Sequence, residues 1–271
     1  MASARTFYSI SPRETVFVDD LQRLLAGLPV DGSEETIHKN FSLMQMIADP
    51  GTIIPTLRSV LDDPATLSLI AGRSYRHVNH FDKIVLVDSE DQQGYRLTLH
   101  LWNPPYTESE LNDELIHDHR FSFWSALLTG DLLSENFTRS EAGHVFRQYQ
   151  YVPERQTKSN FYEFKGEVPL LRTVPQKKTA GEVYHLYYET THRVLLPQAS
   201  MTCTLVLRGP RLRNFSNVYN TTYPSQNTRM TNTTFSPEQL QTRLTALIEN
   251  MEITRLRKTP QAADRQAGVY K

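Results

Sequence analysis

A single cysteine, Cys203, stands in the 271 residues, and that scarcity excludes a good deal. One thiol builds neither an internal disulfide framework nor a Cys-x-x-Cys redox or zinc pair, so a reducing compartment is the expected setting. Long apolar runs are missing too. No stretch of about 18 apolar residues occurs, and the opening Met1-Ala2-Ser3-Ala4-Arg5-Thr6-Phe7 has no apolar signal region, so the expectation is a cytoplasmic protein with no membrane span. Nor is there an excess of charge of one sign. Lys and Arg number 29 against 30 Asp and Glu, a formal net charge of -1, which leaves no footprint for nucleic acid or an anionic membrane. A small molecule or another protein is the expected partner.

What remains is an ordinary globular balance, 39% hydrophobic and 22% charged, in a chain long enough for one large domain with additions. The first stretch reads as helical. Ser11-Pro12-Arg13-Glu14 has the pattern of a helix start, with Phe17, Leu21, Leu24 and Leu25 on one face and Gly27 as the stop. A second helix is expected from Ser33, with Ile37, Phe41, Met44 and Ile47 at helical spacing up to Asp49-Pro50-Gly51. Two short helices follow, one from Pro55 and one from Asp63-Pro64 to Gly72.

From Lys83 the apolar period changes to two. Lys83–Val87 and Tyr95–Trp102 read as strands across the polar turn Asp88–Gly94. Further short strands are expected at 121–128, 132–137, 144–152, 161–164, 170–174, 182–188, 193–196, 201–207 and 215–219. Many short strands without long helices between them predict a sandwich or barrel. Ser236-Pro237-Glu238-Gln239 then opens a helix with Leu240, Leu244, Leu247 and Met251 on one stripe. The expected organisation is a helical region over 1–79, a barrel over 80–220, a loop and helix over 221–258, and a disordered tail over 259–271.

The chemistry concentrates at Ile116-His117-Asp118-His119. Side chains two apart on a strand share a face, so His117 and His119 are placed to grip one metal ion while Asp118 points away. A third histidine is available in Gly181–Val194, where His192 and His185 both stand. Three neutral imidazoles suit Fe(II), Cu, Ni or Zn and leave positions open for a substrate and O2.

The spacing of Gly181, Tyr187, Glu189 and His192 resembles the second cupin motif. That of His117, His119, Phe123 and Gly130 resembles the first, with its glutamate replaced by Phe123. Within cupins the chain resembles cysteine dioxygenase and other thiol dioxygenases. The resemblance is carried by Leu101-Trp102-Asn103-Pro104-Pro105, Ile116-His117-Asp118-His119, Ser122, Leu128-Thr129-Gly130-Asp131-Leu132 and His192-Arg193-Val194. It covers residues 80–210 and implies a cupin-type β-barrel (double-stranded β-helix), mainly β, with His117, His119 and His192 as metal ligands. The family's cross-linking cysteine falls on Trp124, its carboxylate-pairing arginine on Asp82 or Lys83, and its Ser, His and Tyr near Thr204, Val206 and Arg208.

The resemblance therefore places Trp124 and Tyr187 at catalytic positions and Asp82, Lys83, Trp102 and Tyr184 at substrate-binding ones, with Asp82 and the aromatics suited to a larger or more cationic substrate. The expected function is that of an Fe(II)-dependent oxygenase acting with O2 on a small thiol- or amino-acid-like molecule. A non-redox cupin using Zn or Ni, or a binding or scaffold cupin forming a homodimer through its helical additions, is the alternative.

Overall fold

The computed structural model describes residues 17–89, 94–153, 160–222 and 233–258. Four helices lead: α1 (Val18–Ala26), α2 (Glu34–Ala48), α3 (Pro50–Asp62) and α4 (Pro64–Ala71). Strands follow as β1 (Tyr75–Arg76), β2 (Asp82–Asp88) and β3 (Arg96–Trp102), then the short α5 (Glu108–Asn112), β4 (Ile116–His117), β5 (Phe121–Thr129), β6 (Asp131–Pro153) and β7 (Asn160–Arg172). The series closes with β8 (Gln176–Thr179), β9 (Val183–Leu186), β10 (Thr191–Leu195), β11 (Thr202–Arg211), β12 (Ser216–Asn220) and α6 (Pro237–Lys258).

The strands form two six-stranded paths, all of whose pairings are antiparallel. One runs β1-β2-β3-β11-β5-β9. In the other, β4 pairs β10, β10 pairs β6 and β6 pairs β7, with β12 bridging β4 and β6 and β8 pairing β6 off that path. The successive crossings β3 to β4, β5 to β6 and β10 to β11 pass from sheet to sheet. This winding, β3-β11-β5-β9 facing β4-β10-β6-β7, is that of an eight-stranded jelly roll. The chain is mainly β and folds as a double-stranded β-helix, with helices added at both ends.

Alternation along the first sheet fixes where everything else sits. Leu97, Leu99 and Leu101 of β3 and Leu205 and Leu207 of β11 point outward and are almost fully buried beneath the helices. The same core takes Leu21, Met44 and Ile47 from the leading helices and Leu240, Leu244 and Leu247 from α6, all with no exposed surface. Each such leucine contributes about 1.5–3 kcal/mol on burial. The helices thus seal the outer face of the sheet, and the opposite residues, Thr98, His100, Trp102, Thr204 and Val206, face the barrel interior.

Local signals explain several boundaries. The Ser33 hydroxyl accepts from the Thr36 amide at 3.2 Å and caps α2 at its expected start, and Ser236 and Gln239 exchange bonds of 3.2 and 3.0 Å, so the anticipated capping box before α6 forms. Ser11-Pro12 lies outside the described residues, as do most of the Asp88–Gly94 turn and the 259–271 tail. Phe17, expected on the buried face, is instead the residue preceding α1 and is 56% exposed, while Val18 takes the buried place. Pro55 does not begin a helix. It lies inside α3, which Asp49 caps and Pro50 starts.

The expected pairs of strands at 132–137 and 144–152, and at 161–164 and 170–174, are each continuous, as β6 and β7. Gly166, at φ +129, falls where the β6–β7 register shifts, so it marks a bulge rather than an end.

Gly130 forms the close turn between β5 and β6. Its φ is +75, and an added Cβ would lie 2.6 Å from the Met201 carbonyl oxygen. Gly130→Ala is expected to destabilise the protein by at least ~1–2 kcal/mol, the strain of a left-handed backbone alone, which a shift in the urea midpoint measures. An unchanged midpoint would contradict this placement. Among the described residues no helix is long and apolar enough to cross a membrane.

Candidate metal centre

His117 ends β4, and His192 of β10 is its direct partner in the antiparallel register, so the two imidazoles start side by side. His119 lies just past the strand. Its amide donates to the Tyr188 carbonyl at 3.0 Å, which turns its ring back toward the other two. The His119 and His192 Nε2 atoms are 2.9 Å apart, and one ligand atom from each of the three histidines lies within 4.8 Å of the others. Two nitrogens on one ion at ~2.1 Å are at most about 4.2 Å apart. Small ring rotations therefore complete the set, and the donors fit a metal.

The tautomer of one ligand is already set. His117 Nδ1 lies 2.8 Å from the Leu115 carbonyl and donates to it, leaving Nε2 for the metal. Leu115 presents that carbonyl from a left-handed backbone, φ +53, a strained conformation for a leucine. Burial, reinforced by neighbouring positive charge, holds His119 and His192 well below the usual imidazole range. Burial also lowers His117, against the opposing pull of the Leu115 carbonyl and Asp118. All three are thus neutral near pH 7, the form that binds metal.

Asp118 points away from the cluster and anchors it from behind. It is 4% exposed, accepts 2.6 Å bonds from both the backbone amide and the side-chain amide of Asn217, and pairs with Arg213. Arg213 in turn donates to the His119 carbonyl at 2.9 Å. Strand β12 is thereby tied to the backbone between two ligands.

The histidines open into a cavity of about 470 Å³ inside the barrel, within the range of small-molecule sites. Lys83, Trp102 and Tyr184 line it, as do Phe121 and Phe123. The Phe123 ring meets His119 edge-on at 5.0 Å where a cupin glutamate would stand. No carboxylate joins the three histidines among the described residues.

Three of the expected site residues lie elsewhere. Trp124 alternates with Phe123 and therefore faces outward. It packs in the helix-covered core, donates Nε1 to the Ile37 carbonyl at 3.2 Å and stacks on His185 at 4.8 Å. That position removes it, and His185 with it, from the metal. Asp82 is held by Arg243 of α6 at 2.7 Å and by Arg76 at 3.5 Å, so it fastens the C-terminal helix rather than meeting a substrate. Tyr187 is half exposed and lines a separate hollow of about 320 Å³ that touches His192 from the other side.

Other residues beside the site had no sequence signal. Asn79, in the turn before β2, brings Nδ2 to 3.5 Å from His117 Nε2. Phe81 is sandwiched between His77 at 4.6 Å and His100 at 4.2 Å, which makes His100 a packed neighbour of the cavity. Arg96, Arg120 and Arg211 also line it.

No protein-family model and no curated protein matches the chain. Among solved structures it is similar to a protein with a double-stranded β-helix domain from Klebsiella pneumoniae, at 8% identity and TM-score 0.29, covering 51% of this chain and 84% of that one. It is also similar to a cupin domain from Bordetella pertussis, at 16% identity and TM-score 0.24, covering 47% and 91%. A third is Fe(II)-HppE, at 8% identity and TM-score 0.28, covering 50% and 54%. Fold and site together define a double-stranded β-helix barrel with a three-histidine candidate metal centre.

Proposed function

We propose that the protein is a mononuclear non-haem Fe(II) oxygenase that uses O2 to oxidise a small metabolite, with His117, His119 and His192 as the metal ligands. The observation that carries this reading is the donor set: three imidazoles with lowered pKa bring ligand atoms within 4.8 Å of one another, and the Phe123 ring, not a carboxylate, packs against His119. Such a set leaves the ion dicationic with open positions. Bound there, Fe(II) would supply O2 activation and a Lewis acid for the substrate.

The chain's own residues define what the substrate meets. Phe121 and Phe123 exclude water beside His119, at 5.6 and 5.0 Å between rings. Lys83, Trp102 and Tyr184 are the side chains of the expected substrate set that face the cavity. The resemblance to thiol dioxygenases supports a thiol- or amino-acid-like substrate, with O2 as the second reactant and the cytoplasm as the setting.

The test is O2 consumption by protein reconstituted anaerobically with Fe(II) or Zn(II) and then given small thiols, amino thiols or amino acids. Uptake above the protein-free rate, with iron and not with zinc, is expected for at least one compound class. Turnover of substrate by the zinc form without O2 uptake would replace this reading with a non-redox cupin enzyme.

A further inference from the structure

The cavity contains a second cluster, built from cations. Arg208 of β11 stands directly opposite Arg96 of β3 in the antiparallel register, and both line the cavity together with Lys83, Arg120 and Arg211. Like charges facing each other across a strand pair destabilise a sheet. Arg96 is compensated by a two-pronged pair with Asp88 at 2.7 and 2.8 Å. Among the described residues Arg208 has no such acid partner: it is 5% exposed, its Nη2 donates to the neutral Gly94 carbonyl at 2.5 Å, and its buried Nε has no hydrogen-bond partner.

The acids lining the same cavity are engaged elsewhere. Asp113 holds His80 at 2.7 Å, Glu114 accepts from the Thr221 amide at 2.6 Å, and Asp118 is taken by Asn217 and Arg213. Phe121 connects this cluster to the histidines, with its ring 5.6 Å from that of His119 and 5.6 Å from the Arg208 guanidinium carbon. Burial, then Arg96, Arg208 and Arg120, bring Lys83 down to about 7. Among the described residues no carboxylate pairs with Arg208, and its neighbours Arg96 and Lys83 add positive charge to the same wall.

We infer that the Arg96–Arg208 end of the cavity is an anion site for the far end of an elongated substrate, one whose carboxylate or phosphate is gripped by Arg208 while its body passes Phe121 toward the histidines. A buried guanidinium with an unused donor suits an oxyanion with at least two acceptor oxygens. An anionic substrate differs from the more cationic one expected from Asp82, whose carboxylate pairs with Arg243 and Arg76. It builds on the reading of the cavity as a substrate site but not on the metal or on O2.

The test therefore uses metal-free protein, stripped with chelator and dialysed, and titrated calorimetrically with sodium glutarate, inorganic phosphate and the neutral 1,5-pentanediol. Wild type is expected to bind at least one of the anions and not the diol; the preferred anion separates carboxylate from phosphate as the ligand group. Arg208→Gln is expected to weaken that binding roughly ten-fold or more while leaving the ligand-free melting temperature unchanged or raised, because a like-charge pair is relieved. Lys83→Met provides a second variant, expected to weaken anion binding without removing Arg208. The inference is overturned if wild type binds neither anion, if it binds the diol equally, or if both variants keep the wild-type affinity. Failure of the iron and O2 experiment would leave this result standing.

Discussion

Asp118→Ala is expected to destabilise the protein by about 3–5 kcal/mol, the range for removing one partner of a buried ion pair, and to weaken metal binding at the same time. The reason is what Asp118 holds. Its two oxygens take the Asn217 amides at 2.6 Å and the Arg213 guanidinium, and removing them leaves donors buried with nothing to accept them. Arg213 is also the donor to the His119 carbonyl. Its release frees the backbone between two ligands, and such outer partners commonly change metal affinity by about 10–100-fold. Chemical denaturation with and without metal separates the two effects. A variant as stable as wild type that retains metal equally would show that Asp118 has no anchoring part.

The second large effect is a loss of stability in acid. His77, His100, His119 and His192 are held well below their ordinary value, chiefly by burial, and His117 is lowered as well. An unfolded histidine takes up a proton near pH 6.5, whereas these remain neutral in the fold. Between their depressed folded values and about 6.5 the unfolded chain binds more protons, so stability is complete above that range and falls as pH drops through it. Each group contributes at most ~1.4 kcal/mol per pH unit. Urea midpoints of the metal-free protein are expected to be level from pH 7 to 8 and to fall steeply from pH 6.5 to 5. A flat profile across the acid range would mean that these histidines protonate within the fold.

The alternation and helical periods in the sequence were enough to locate the barrel and the helices around it, because each of those elements has one buried face. The clustering of the three histidines was equally legible. His117 and His119 are neighbours in sequence, and His192 follows a turn glycine at motif spacing. Parity along a strand explains why Trp124 was misplaced: a residue beside Phe123 must face the other way once Phe123 faces His119.

Asp82 illustrates a different limit. Its partner Arg243 lies 161 positions further on, and no local pattern signals that pairing. The Arg96–Arg208 cluster was hidden for the same reason, since only the β3–β11 register brings these two arginines opposite each other. Glycine and polar residues at 139–143 carry a turn-like pattern that divides β6 in the sequence, although the β6–β7 ladder absorbs them as an irregularity.

The most direct measurement is the metal content of protein purified without chelators, beside His117→Ala, His119→Ala, His192→Ala and His185→Ala. The account predicts about one equivalent of a transition metal in wild type, retained in the His185 variant, whose ring packs against Trp124 on the outer face, and lost in the other three. Folded protein that holds no metal even after addition of Fe(II), or that keeps it when any of the three clustered histidines is removed, would contradict the three-histidine centre.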